Sequence, residues 1–117
     1  MTLLEMSDSQ IRDLAAPILR DTIIGANNKD WIQFSKNMPE DDSSNFEIKK
    51  DVERQWEEDE YLTTFSDQAE FLAIIRKLDV VIVLWKLTST ATDDEYLERL
   101  YLEEKDGVVF QVGIWTD

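Results

Sequence analysis

The sequence contains no cysteine and no histidine, and only three glycines and two prolines. Without thiols there is no disulfide and no cysteine nucleophile, and the Cys/His ligand sets of structural zinc are excluded. Ser-His-Asp and Cys-His catalytic arrangements are impossible within the chain. The glycines, Gly25, Gly107 and Gly113, form no Gly-rich loop to cradle a phosphate. The longest apolar run is Val80 to Trp85, against the roughly 20 residues needed to span a bilayer. The start, Met1-Thr2-Leu3-Leu4-Glu5, has neither the basic segment nor the apolar core of a signal peptide. The expectation is a cytoplasmic protein.

Positive charge is scarce as well. Twelve Lys and Arg face 26 Asp and Glu, for a formal net charge of −14. Such a chain repels phosphate backbones and anionic membranes, so neither nucleic acid nor membrane is an expected partner. The basic clusters, Lys49-Lys50 with Arg54 and Arg76-Lys77, are short and mixed with acids. Half of the net charge lies between Glu40 and Glu60, where ten acids meet three bases. Two readings fit that run. It is a solvated helix face, or it is a surface that steers a basic protein partner, as an acidic inhibitor or immunity-type protein would present.

What is present suffices for a core: 43% hydrophobic residues, with four Trp, three Tyr and five Phe in 117 positions. The length matches one domain, residues 1–117. Ile11, Leu14, Ala15, Ile18, Leu19, Thr22, Ile23 and Ala26 repeat at helical spacing, with Ser7 or Ser9 as cap. Pro17 predicts a kink or restart, and Gly25-Ala26-Asn27-Asn28 a stop. Asp30 caps a predicted second helix from Trp31 to about Met38, ended by Pro39, and Glu40–Ser43 reads as a polar loop. Ser44-Asn45-Phe46-Glu47 fits a capping box for a third helix reaching about Tyr61.

Beyond Ser66 the period changes to that of strands, predicted over 71–77, 80–90, 95–104 and 108–116. Asp106-Gly107 is the hairpin signal, since a tight primed turn requires positive φ. The expected fold class is α+β, three N-terminal helices on one face of a four-stranded antiparallel sheet. Val80 to Trp85 is apolar on both alternating faces, and Leu97 and Tyr101 point opposite to Leu100 and Leu102. A second buried face predicts either a deeply curled sheet or a homodimer formed through it.

This order of elements resembles the nuclear transport factor 2-like superfamily, also described as ketosteroid-isomerase-like or cystatin-like. The likeness rests on three segments. They are Gly25-Ala26-Asn27-Asn28-Lys29-Asp30-Trp31, the long pair Val80–Lys86 and Asp93–Leu102, and the closing hairpin Leu102 to Val109 with Val112-Gly113-Ile114-Trp115. The resemblance implies a cone: a curved sheet wrapped over helices, often dimeric, with a pocket on the concave face. It does not settle function, because the superfamily holds isomerases, dehydratases and modules that only bind. The enzymatic members pair a carboxylate with a Tyr of the first helix, or rely on His. Here no Tyr precedes Tyr61 and His is absent, so no catalytic residue carries over.

Two readings fit the aromatic set Trp31, Phe34, Trp56, Tyr61, Trp85 and Trp115: ordinary core, or the lining of a pocket for a small apolar ligand. Asp79, beside the apolar run, is the nearest candidate for a desolvated general base, and Arg99 for a ligand anchor. Asp93-Asp94-Glu95 and Asp41-Asp42 lack the spacing of a calcium loop. No cofactor or metal is expected. The leading reading is a non-catalytic ligand-binding or protein-interaction module. The alternative is an isomerase or dehydratase-type enzyme that uses a pocket carboxylate.

Overall fold

Ser7 opens the first helix by a reciprocal cap. Its Oγ accepts from the Gln10 N–H at 3.1 Å, while Gln10 Oε1 accepts from the Ser7 N–H at 2.9 Å. The structure is a computed structural model describing residues 1–117, and in it α1 spans Asp8–Asn27. Its inner face is Ile11, Ala15, Ile18, Leu19, Thr22, Ile23 and Ala26, all buried. The helix passes Pro17 unbroken, so it does not restart there. Proline removes one N–H, and the carbonyl it frees belongs to Asp13, on the exposed side.

α1 ends within the predicted stop Gly25-Ala26-Asn27-Asn28, at Asn27 with Asn28 as C-cap, and Lys29 makes the turn at φ 52°; Gly25 itself is still helical. Gly25 serves a close approach instead. A Cβ placed there would lie 2.4 Å from the backbone nitrogen of Phe34. Phe34 ends α2, the single turn Trp31–Phe34, whose N-cap Asp30 accepts from the Gln33 N–H at 3.3 Å. This helix is shorter than its predicted reach to Met38.

Four helices are found rather than three. The predicted loop is α3, Glu40–Ser43, a turn in which Glu40, Asp41 and Asp42 sit at the helix N-terminus, where acids are favoured. Ser44 is consequently the C-cap of α3, its Oγ donating to the Glu40 carbonyl at 2.7 Å. The N-cap of α4, Phe46–Glu58, falls to Asn45. Acids at Glu57 to Glu60 oppose the dipole at the C-terminus of α4, which stops at Glu58 and passes to a 3₁₀ turn, Glu60–Thr63.

The four strands are β1 Glu70–Arg76, β2 Val81–Thr88, β3 Glu95–Lys105 and β4 Val108–Thr116. They form one antiparallel meander in sequence order. Asp106 and Gly107, at φ 54° and 79°, make the expected two-residue turn. The architecture is α+β. Val81, Val83, Trp85, Leu87, Leu100 and Leu102 join the α1 face in the main core. Ile75, Ile82 and Tyr101 form a cross-strand row with the opposite parity. Shifts in register, at Phe71/Ala73 and Tyr101/Leu102, bulge the sheet. No helix is long and apolar enough to cross a membrane.

The contact at Gly25 gives a test. Gly→Ala at an exposed helical site stabilises by about 1 kcal/mol. Gly25→Ala drives a methyl into the Phe34 backbone and is expected to destabilise by about 2–3 kcal/mol. Urea denaturation reads the sign; a gain in stability refutes the close approach.

Candidate functional site

A cavity of about 480 Å³ lies between the helices and the inner face of β3 and β4. Thr22, Ile23 and Ala26 of α1 form one wall, with Phe34 and Met38 beside them. The roof is Ile48, Val52, Gln55 and Trp56 of α4. Asp59, Tyr61, Leu62 and Phe65 close one end, and Glu98, Gln111, Ile114 and Thr116 form the floor.

Local contacts place each of these groups. Phe34 packs edge-on against Trp56, ring centroids 5.3 Å apart and planes at 87°, so α2 holds α4 in position. The Asn27 amide pairs reciprocally with the Phe65 backbone, donating to its carbonyl at 2.8 Å and accepting from its N–H at 3.1 Å. Phe65 in turn meets Tyr96 at 5.7 Å, and Tyr61 stacks on Tyr96 at 4.8 Å. The Gln111 N–H donates to the Asn37 carbonyl at 2.7 Å. Asn37 is itself anchored on α1, its Nδ2 donating to Asp21 at 3.1 Å.

Two polar floor residues stand out by burial. Glu98 and Gln111 are each 2% exposed. Glu98 sits on β3 opposite Trp85 of β2 and Thr116 of β4, and accepts from Thr116 Oγ1 at 2.9 Å. Burial pushes its carboxyl from 4.5 up to about 8, against a smaller opposing pull from that hydrogen bond. At neutral pH most of it is protonated, a neutral group able to donate as well as accept. Gln111 Nε2 is buried with no hydrogen-bond partner. Burial, and then the neighbouring Asp59, Tyr96, Asp117 and Glu98, push the Tyr61 phenol up, so it too remains a donor.

Of the aromatic set singled out in the sequence, Phe34, Trp56, Tyr61 and Trp115 border this cavity. Trp115 stands at its rim, 62% exposed, its Nε1 donating to Asp117 at 3.0 Å. Trp31 and Trp85 do not line it. Trp31 is turned away, its Nε1 donating to the Ser43 carbonyl at 3.1 Å. Trp85 lies in the centre of the sheet, edge-on to Phe71 at 5.7 Å within the α1-facing core, and its buried Nε1 has no partner.

The candidate base Asp79 is exposed in the β1–β2 turn. Arg99 pairs with Asp117 rather than entering the cavity. No group of three or more acidic side chains converges to hold a metal ion. The acidic run on α4 is partly tied down: Arg54 bridges Asp51 and Glu58, and Lys29 reaches Glu57 at 3.0 Å.

No family model matches the chain, and no curated protein matches it. Among solved structures it is similar to the solution structure of a SEC-C motif containing protein from Rhodopseudomonas palustris. The sequence identity is 15%, the TM-score 0.48, and 89% of each chain is covered.

The buried carboxyl makes stability depend on pH. Between 4.5 and about 8 the folded chain keeps a Glu98 proton that the unfolded chain releases. Its contribution therefore falls as pH rises through that window, by about 1.4 kcal/mol per unit, and levels off above it. Glu98→Gln removes this term. Urea midpoints at pH 5, 7 and 9 are expected to show the variant gaining on the wild type, more between pH 5 and 7 than between 7 and 9, and a constant difference refutes the assignment.

Proposed function

We propose that this chain is a small-molecule-binding domain of the nuclear transport factor 2-like cone type, with the cavity over β3 and β4 as its site. The observation that carries the reading is Gln111. A buried amide with an unpaired N–H costs about 1–3 kcal/mol, and the residue that bears it is among those lining a cavity of about 480 Å³. Ligand sites are typically apolar hollows with a few convergent polar groups. Glu98, Gln111 and Thr116 below apolar walls fit that description. The two bulges support the cone, because bulged strands bend and so curve a sheet over its helices.

Glu98 favours a second reading, an isomerase or dehydratase-type enzyme in which it moves a proton. A carboxyl pushed up to about 8 titrates in the range useful to a general acid or base. Native mass spectrometry of the freshly purified protein tests both readings. The binder is expected to carry a small molecule of defined mass. Gln111→Met should raise the urea midpoint, because the unpartnered amide is gone, and lower the occupancy. A midpoint and an occupancy both unchanged would remove Gln111 from the site. The enzyme reading requires that wild type, and not Glu98→Gln, convert the bound molecule.

The domain is further proposed to pair through the outer face of its sheet. The row Ile75, Ile82 and Tyr101 runs along that face, with Ile75 42% exposed, Tyr101 half-buried and Ile82 buried. Light scattering after gel filtration is expected to give about twice 13.7 kDa. A clean monomer at micromolar concentration overturns the pairing.

A further inference from the structure

The cavity has a sign. None of its lining side chains is basic, while three are carboxyls: Asp42, Asp59 and Glu98. Its apolar surface is rich in rings, with Phe34, Trp56, Tyr61, Phe65 and Trp115 among the lining. Aromatic faces attract cations, more strongly where water is excluded. A chain of net charge −14 draws cations towards such an opening and repels anions. Gln111, whose buried Nε2 has no hydrogen-bond partner, is among the lining residues.

Resting on the small-molecule reading above, we infer that the cavity takes a hydrophobic organic cation, an elongated amine whose ammonium group pairs with Glu98. Length follows from the register. Glu98 faces Thr116, and Leu102 faces Gln111, so the two polar ends lie four residues apart along β3, about 13 Å at strand spacing. Leu100 and Ile114 form the pair between them. The ligand therefore needs an apolar middle. An ammonium supplies N–H donors to a carboxylate and replaces the water that burial removed. A neutral ligand leaves Glu98 protonated, and a carboxylate ligand meets three acids.

Charging Glu98 expels its proton to the buffer as the amine arrives, so binding and proton release are linked. The titratable groups that face it are few. Within the cavity α1 offers only Thr22, Ile23 and Ala26, and α4 only Ile48, Val52, Gln55 and Trp56, none of which titrates. From the remaining elements come the phenols Tyr61 and Tyr96 and the carboxyls Asp42, Asp59 and Asp117. Burial holds the Tyr61 phenol protonated, and its pairing with Arg99 holds Asp117 ionised.

Isothermal titration calorimetry with 4-phenylbutylamine, 4-phenylbutan-1-ol and 4-phenylbutanoate separates the outcomes. The amine is expected to bind at least tenfold tighter than the alcohol, and the carboxylate weakest. At pH 7, in buffers of different ionisation enthalpy, amine binding should release close to one proton and alcohol binding none. Glu98→Gln, a near-isosteric change, should abolish both the preference and the release while alcohol binding persists. Alcohol binding as tightly as amine overturns the inference and leaves the pocket reading intact. Amine preference without proton release overturns Glu98 as the counter-ion. Failure of all three to bind overturns the small-molecule reading and this inference with it.

Discussion

The approach of α1 to Phe34 at Gly25 sets the spacing on which the rest of the helical layer depends. Any side chain at that position would collide with the Phe34 backbone, so the turn at Lys29 brings α2 back against α1. Phe34 is thereby fixed, and Trp56 rests on its edge. The second, smaller core of Ala26, Trp31, Phe34 and Trp56 follows from that one contact. It fastens α4 to α2, and Ile114 of β4 packs against it. Space is left beneath α4, and the cavity occupies it.

The floor of this space trades stability for chemistry. Apolar residues at positions 98 and 111 would pack without the desolvation of a carboxyl or the orphaned amide. Glu98 and Gln111 instead lie in register with Thr116 and Leu102 on the innermost part of the hairpin. Local conflicts of this kind concentrate where a fold serves something other than its own packing. The surface acids differ in kind. Asp51 and Glu58 share Arg54 on an exposed helix face, in an arrangement that costs the fold little.

Strands and long helices were legible because their periods were long and clean. The α1 face, the four strands and the Asp106-Gly107 turn all lie where the pattern puts them. Short helices were harder, since one turn carries no period. Glu40–Ser43 looked like a loop because its residues are polar, whereas acids at a helix start are what the backbone dipole favours. Glu98 left a signal in the sequence. Leu100 and Leu102 set the inward parity of β3, and that parity places residue 98 among them. Arg99, next to it, lies on the other face, opposite Leu84 and Trp115. Gln111 left none. The bulge beside Val112 shifts β4 by one residue, so strict alternation counted back from Ile114 and Thr116 sends Gln111 to the wrong face. Trp31 and Trp85 fell outside the cavity for a similar reason: composition identifies large rings but not the direction in which they turn.

The meander order of the sheet divides the cavity between two separable parts of the chain. Its polar floor is built wholly within the β3–β4 hairpin, closed by a two-residue turn. Its roof comes from α4, about fifty residues earlier. Closing the hairpin costs little chain entropy, so the floor forms as a unit without waiting for the roof. Substitutions at Ile48, Val52 or Gln55 then reshape the hollow while leaving the register that buries Glu98 untouched. Such a division lets drift or selection retune the contents of the site one helix face at a time, on a floor that stays constant.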